Sequence, residues 1–248
     1  MKCTIRNSGA AVIEIVFPSR CVVCGDFLDD GISRPFCMNC LSGFHLIASP
    51  HCTRCGIPFS DLQGEDHLCG KCLSSEQFFS MARALGRYED TLMTAIHTFK
   101  YGRNIPVGTA LGRMMACGTY GGLSLEDFSL ILPVPLHPKR LRERGFNQSG
   151  ILAREIARKQ SLSVDYESLE RTIDTEPQTA LRKTERSRNI RGAFNVRNRH
   201  TIKGKKILLI DDVFTTGSTV RECARVLLAN GAEDVAVLTL ARALYHKH

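Results

Sequence analysis

Ile207-Leu208-Leu209-Ile210-Asp211-Asp212-Val213-Phe214-Thr215-Thr216-Gly217-Ser218-Thr219 is the stretch on which the fold turns. Its apolar run reads as a buried strand that ends in two adjacent carboxylates. A short loop of hydroxyl residues around one glycine follows. Val220-Arg221-Glu222-Cys223-Ala224-Arg225-Val226-Leu227-Leu228 then begins a helix. Strand, loop and helix N-terminus in that order make an anion cradle, because free backbone N–H groups and the positive end of the helix dipole point into the loop. Thr215, Thr216, Ser218 and Thr219 add hydroxyl donors, and Gly217 gives the backbone freedom for a tight wrap. Asp211 and Asp212 stand one step back, where carboxylates can accept hydrogen bonds from sugar hydroxyls. A phosphate under a helix end with acids beside its sugar describes a phosphorylated pentose. The Gly-Lys-Ser/Thr of a P-loop is missing here.

Working outward, Gly231 closes the helix and Val235-Ala236-Val237-Leu238-Thr239-Leu240 is a further strand. Upstream, Leu130-Ile131-Leu132-Pro133-Val134-Pro135 is a buried strand that runs into a loop at His137-Pro138-Lys139-Arg140. A helix is expected from about Ser149 to Lys159. Ala82 to Tyr88 alternates as a strand, a helix starts at Glu89-Asp90-Thr91, and another spans Ile105 to Cys117 with Pro106 in its first turn. Strands alternating with helices predict an α/β fold with a mainly parallel sheet. Residues 169–200 are rich in Arg, Thr and Gln and poor in core residues, which suits a functional flap.

Nine of the eleven cysteines lie before residue 73. Eight form Cys-x-x-Cys pairs: Cys21 and Cys24, Cys37 and Cys40, Cys52 and Cys55, Cys69 and Cys72. Each pair offers two thiolates from one turn, so two pairs complete a tetrahedron around Zn2+. Repeated pairs in a chain expected in the cytoplasm argue against disulfides and against a redox motif. Sequential and cross-braced pairing both remain open. Closed four-thiolate shells make the metal, one ion or two, structural. The expected division is a zinc module at 1–76 and a catalytic-type domain at 77–248.

Residues 137–206 hold 18 lysines and arginines against 8 acids, whereas residues 1–80 hold 6 against 8. The net charge of +8 therefore sits in the middle of the chain. A basic field next to a phosphate cradle suits a polyanionic ligand or nucleic acid. Arg182, Lys183, Arg186, Arg188 and Arg191 are the candidate contacts to single-stranded DNA. Tryptophan is absent, leaving Phe and Tyr as the aromatic platforms. The apolar run Ala10 to Phe17 is short and broken by Glu14, so it reads as a packed amphipathic helix, neither a signal peptide nor a membrane span.

The stretch Asp211 to Thr219 resembles the phosphoribosyl-pyrophosphate (PRPP) signature of type I phosphoribosyltransferases. The Cys-x-x-Cys series after Phe17-Pro18 and the segment His97-Thr98-Phe99-Lys100-Tyr101 extend the likeness. So do Pro133-Val134-Pro135-Leu136-His137-Pro138-Lys139-Arg140-Leu141-Arg142-Glu143-Arg144-Gly145-Phe146-Asn147-Gln148 and Arg171, Gln178, Leu181, Arg186, Arg188 and Asn189. Together they make the chain similar to the ComF (ComF/GntX) family over nearly its whole length. The resemblance implies a type I phosphoribosyltransferase fold behind an N-terminal zinc finger, with a role in DNA uptake during natural competence. It also implies site roles. Asp211 and Asp212, the catalytic pair, hold the ribose hydroxyls. Val213 and Phe214 continue the PRPP-binding segment. Thr215, Thr216, Gly217, Ser218 and Thr219 bind the 5′-phosphate, with Ser218 at a position where such loops often carry a small apolar residue or glycine. His137, Lys139 and Arg140 meet the pyrophosphate with Arg144 nearby, Mg2+ accompanies PRPP, and Arg182, Arg186 and Arg188 close over the ligand. Three roles follow as expectations: a transferase acting on an unknown base or amine, a PRPP-binding protein that handles single-stranded DNA, and a zinc-organised adaptor for DNA-uptake proteins.

Overall fold

A computed structural model describes residues 19–28, 35–61, 63–174 and 190–244. The apolar run before Pro18 lies outside them, as do Gln178, Leu181, Arg182, Lys183, Arg186, Arg188 and Asn189. Among the described residues the strands are β1 (Ala82–Arg87), β2 (Leu130–Pro133), β3 (Leu169–Arg171), β4 (Phe194–Val196), β5 (Lys206–Phe214) and β6 (Asp234–Arg242). The α-helices among them are α1 (Met38–Ser42), α2 (Gly70–Ser74), α3 (Asp90–Tyr101), α4 (Ile105–Cys117), α5 (Pro138–Arg144), α6 (Gln148–Gln160), α7 (Arg199–Ile202) and α8 (Ser218–Ala229).

Four strands form a parallel sheet in the order β1-β6-β5-β2, and β3 pairs with β4 as a separate antiparallel ribbon. The middles of the central strands, Ile207 to Ile210 of β5 and Val235 to Leu238 of β6, are apolar and buried because both faces are covered. Along β5, Leu208 and Ile210 join one buried cluster, while Ile207 and Leu209 join the other. The first cluster takes Leu92, Ile96 and Phe99 of α3, Leu111 and Met115 of α4, and Leu152 and Ile156 of α6. These residues recur at helical spacing, so each helix turns one stripe to the sheet. The second cluster takes Val220, Cys223, Ala224 and Leu227 of α8 together with Leu169, Ile190 and Phe194 of the flap.

Three sequence expectations shift. β5 runs beyond the acid pair to Phe214, because it stays in register with β6 as far as Arg242. The loop expected at 137–140 is the start of α5, with His137 as its N-cap, Pro138 in its first turn and Gly145 closing it at φ 85°. The flap is not wholly polar: Leu169, Ile190, Ala193 and Phe194 are buried and anchor its two ends.

The cysteine-rich segment packs on the sheet and does not stand apart. Leu46 bridges Gly86 in antiparallel fashion, and the Arg87 N–H donates to the His45 carbonyl at 2.8 Å, so the edge of β1 is covered. Buried Arg83 of β1 donates to the carbonyls of Thr53 (3.0 Å) and Gly121 (2.6 Å). Cys52, Cys55 and Cys72 share the second buried cluster with Phe79, Phe214 and Leu132.

Candidate functional site

The carboxyl ends of β5 and β2 and the first turn of α8 enclose a cavity of about 910 Å3. Asp211, Asp212, Val213, Phe214, Thr215, Gly217, Ser218 and Thr219 all line it. This is where a parallel sheet leaves room for a ligand, beyond the strand ends and beside a helix N-terminus. Gly217 caps α8 at φ 77°, and a Cβ there would lie 2.5 Å from the Phe214 ring, so the turn needs glycine twice over. Thr216 is buried and faces inward. Its hydroxyl is 2.8 Å from that of Ser218 and accepts the Ser218 N–H at 3.3 Å. Thr216 thus shapes the loop from below while Thr215, Ser218 and Thr219 face the cavity.

The two aspartates have different surroundings. Asp212 pairs with Lys100 at 2.9 Å, and both side chains are 15% exposed. Burial disfavours the Lys100 charge, but Asp212 outweighs it, and the ammonium is held above the usual lysine range. The Asp211 carboxylate accepts from the Ser149 hydroxyl at 3.1 Å and from the Asp212 N–H at 2.9 Å. Burial, and then the charge of Asp212, push Asp211 up to about 7. The floor of the cavity therefore holds one firmly paired carboxylate and one poised near neutrality.

The other walls are cationic and aromatic. Arg103, Arg140, Arg144 and Arg171 line them, with Tyr88, His97 and Tyr101. Arg171 is buried, and burial followed by the nearby Arg140 charge lowers its pKa. The Tyr88 hydroxyl lies 2.7 Å from His97 Nε2, the His97 ring meets Tyr101 edge-on at 5.7 Å, and the Arg144 guanidinium sits 5.7 Å from the Tyr101 ring centre. Tyr101 is 66% exposed.

His137 and Lys139 do not line the cavity, unlike Arg140 and Arg144. Asp174, at the flap edge, gathers His137 (3.6 Å), Lys139 (3.5 Å) and Arg140 (4.0 Å) around its carboxylate. Arg191 is exposed and lies outside the cavity lining. Lys100, His97, Tyr101, Arg171 and Ser149 are site residues to which sequence reasoning gave no role. A signal was present: His97, Lys100 and Tyr101 recur at positions i, i+3 and i+4 of α3, opposite buried Leu92, Ala95, Ile96 and Phe99.

The cysteines form two sets in sequential pairing, Cys21, Cys24, Cys37 and Cys40, and Cys52, Cys55, Cys69 and Cys72. Within each set every sulfur lies within 4.8 Å of the others. Cys24 and Cys37 are 3.6 Å apart and Cys55 and Cys69 3.7 Å, close to the ~3.8 Å edge of a tetrahedron with Zn–S bonds of 2.3 Å. Backbone N–H groups of Cys55 and Cys69 donate to the Cys52 sulfur at 3.4 and 3.3 Å, as thiolate ligands require. Both sets suit structural zinc.

Family models match in the same arrangement, a double zinc ribbon domain over residues 12–73 and a phosphoribosyl transferase domain over residues 142–247. The DNA utilization protein YhgH of Escherichia coli K12 is 36% identical over 78% of this chain and 84% of its own length. Competence protein F of Haemophilus influenzae is 29% identical over 92% of this chain and 98% of its own. Competence protein ComFC of Bacillus subtilis is 29% identical over 83% of each. Among solved structures, the B. subtilis glutamine PRPP amidotransferase overlays 58% of this chain and 30% of its own, at 18% identity and a TM-score of 0.40, too low a score to bear on function. A phosphoribosyltransferase domain set behind two zinc ribbons, in a sequence this close to competence and DNA utilization proteins, places the chain in the ComF family.

Proposed function

We propose that the cavity binds PRPP together with Mg2+, and that the chain serves DNA utilization in this liganded form. What carries the reading is the joint placement of the acid pair, the α8 N-terminus and the arginine wall around one space. The 5′-phosphate sits in the loop Thr215 to Thr219, where the α8 dipole and backbone amides meet it. Asp211 and Asp212 accept from the ribose hydroxyls, and Lys100 keeps Asp212 in place. Arg140, Arg144 and Arg171 balance the pyrophosphate charge, and fixed cations of this kind favour its departure if a nucleophile arrives. The carboxylate oxygens of Asp211 and Asp212 are the hard donors that would hold Mg2+ accompanying PRPP, and the ion would supply further charge neutralisation. Thermal shift measurements test this against its parts. PRPP with Mg2+ should stabilise the protein more than ribose 5-phosphate or pyrophosphate at equal concentration. An equal shift with pyrophosphate alone would reduce the site to a basic patch.

A second role, contact with single-stranded DNA, is supported by the basic stretch 137–206 and by exposed Tyr101 beside Arg144. A base can stack on the tyrosine while arginines follow the backbone. Anisotropy of a labelled oligothymidine should fall steeply with salt, and binding that ignores salt would contradict the role. The relatives' names, DNA utilization protein and competence protein, point the same way. Recruitment of DNA-uptake proteins through the ribbons and a location in the cytoplasm belong to the same proposal.

A further inference from the structure

The second cysteine set touches the cradle loop by two routes. Lys71 lies between Cys69 and Cys72 on α2, and its ammonium donates to the Thr216 carbonyl at 2.5 Å, across 145 residues of sequence. Arg242, 2% exposed at the end of β6, donates to the Cys55 sulfur at 3.5 Å. The same guanidinium lies 3.9 Å from the centre of the Phe214 ring. Phe214 meets Phe79 edge-on at 6.0 Å and fills the space under Gly217. The loop Phe214 to Gly217 is thus held at its peptide backbone by Lys71 of the ribbon and at its supporting ring by Arg242 of β6, which itself donates to the ribbon's Cys55 sulfur.

We propose that the second zinc ribbon positions the cradle loop, with Lys71 as the positioning residue and Arg242 with Phe214 as the second support. A peptide unit that must present N–H groups to an anion needs its carbonyl turned away and held. Lys71 holds the Thr216 carbonyl, and in a trans peptide this turns the Gly217 N–H the opposite way, while the Ser218 N–H is held by the Thr216 hydroxyl. Four thiolate ligands fix α2 to a closed metal shell, so the ammonium starts from a rigid base. Backbone hydrogen bonds tie the two ends of the loop, from Ala243 N–H to the Phe214 carbonyl (3.0 Å) and from Arg221 N–H to the Gly217 carbonyl (2.9 Å), and between them the Thr216–Ser218 hydroxyl contact is local. The consequence for anion affinity rests on the reading of the loop as a phosphate cradle, whereas the positioning itself does not.

Amide hydrogen exchange of the zinc-loaded protein tests the positioning without any ligand. In Lys71→Met, peptides spanning residues 213–220 should exchange about tenfold faster, the loss expected of one charge-assisted hydrogen bond. Peptides of β6 should keep their protection, zinc should stay at two per chain, and Lys71→Arg should restore most of the loop's protection. Unchanged loop exchange in Lys71→Met overturns the proposal, and so does equal acceleration in β6, which would mark general destabilisation. A PRPP titration of the same samples separates the two readings. Wild-type protein that takes no PRPP overturns the cavity assignment, while the exchange data alone decide the role of Lys71. Wild-type binding that weakens about tenfold in Lys71→Met supports both.

Discussion

Asp211 and Asp212 are adjacent in sequence and opposite in circumstance. Asp212 has a lysine partner at 2.9 Å, whereas Asp211 has a serine hydroxyl, an amide and a neighbouring negative charge. A carboxyl held up at about 7 binds its proton more tightly in the folded protein than in the unfolded chain. The stabilisation this gives is complete below about pH 4 and disappears as the pH rises through about 7. Asp211→Asn should therefore flatten the fall in stability between about pH 4 and 7 and raise stability at pH 8 by about 1–3 kcal/mol. Denaturant melts at several pH values check this, and an unaltered slope would contradict the burial of Asp211. Lys100→Met should act in the opposite direction. It leaves Asp212 with no compensating charge in a largely buried place, at a cost of about 3–5 kcal/mol near neutral pH. A variant as stable as the wild type at pH 7.5 would show that the ion pair is not held there.

At the scale of elements, the sequence states its α/β pattern openly. Short, β-branched apolar runs such as Ile207 to Ile210 and Val235 to Leu238 read as strands covered on both faces, and α3, α4, α6 and α8 advertise their buried stripes. The cradle was legible too, since strand, acids, hydroxyl loop and helix follow one another without a break. What could not be read was who faces whom. Lys100 meets Asp212 across 112 residues, and its meaning arises only when α3 packs beside β5. Asp174 was hidden for the same reason, because its neighbours His137, Lys139 and Arg140 lie more than 30 residues upstream. Pro138 reads equally as a loop residue and as the first turn of a helix, and Gly145 at the far end decides for the helix α5. The turn between β5 and α8 gives its own prediction. Gly217→Ala forces a left-handed φ on a residue with a Cβ and drives that carbon toward the Phe214 ring. A loss of about 1–3 kcal/mol in denaturant melts is expected, with weaker PRPP binding. Wild-type stability in this variant would mean that the loop relaxes freely.

Across the whole molecule, the ribbons and the sheet share their interior. Cys52, Cys55 and Cys72 are buried against Phe79, Leu132 and Phe214, and Arg83 ties β1 to the Thr53 carbonyl. The cysteine spacing announced zinc but not this union, since nothing in a Cys-x-x-Cys pair says which surface it will rest on. Zinc removal should consequently lower one cooperative melting transition by about 10 °C or more. Calorimetric scans with and without a chelator read this directly. A ribbon that melts separately while the remaining transition stays in place would contradict the shared core.

The most direct test of the account is isothermal calorimetry of the zinc-loaded chain with PRPP and Mg2+. One site per chain is predicted, with a dissociation constant on the order of micromolar. Its heat should vanish in the double variant Asp211→Asn with Asp212→Asn. An absence of heat with wild-type protein, or the same heat with the double variant, would contradict the claim that this helix end and its acid pair hold the activated sugar.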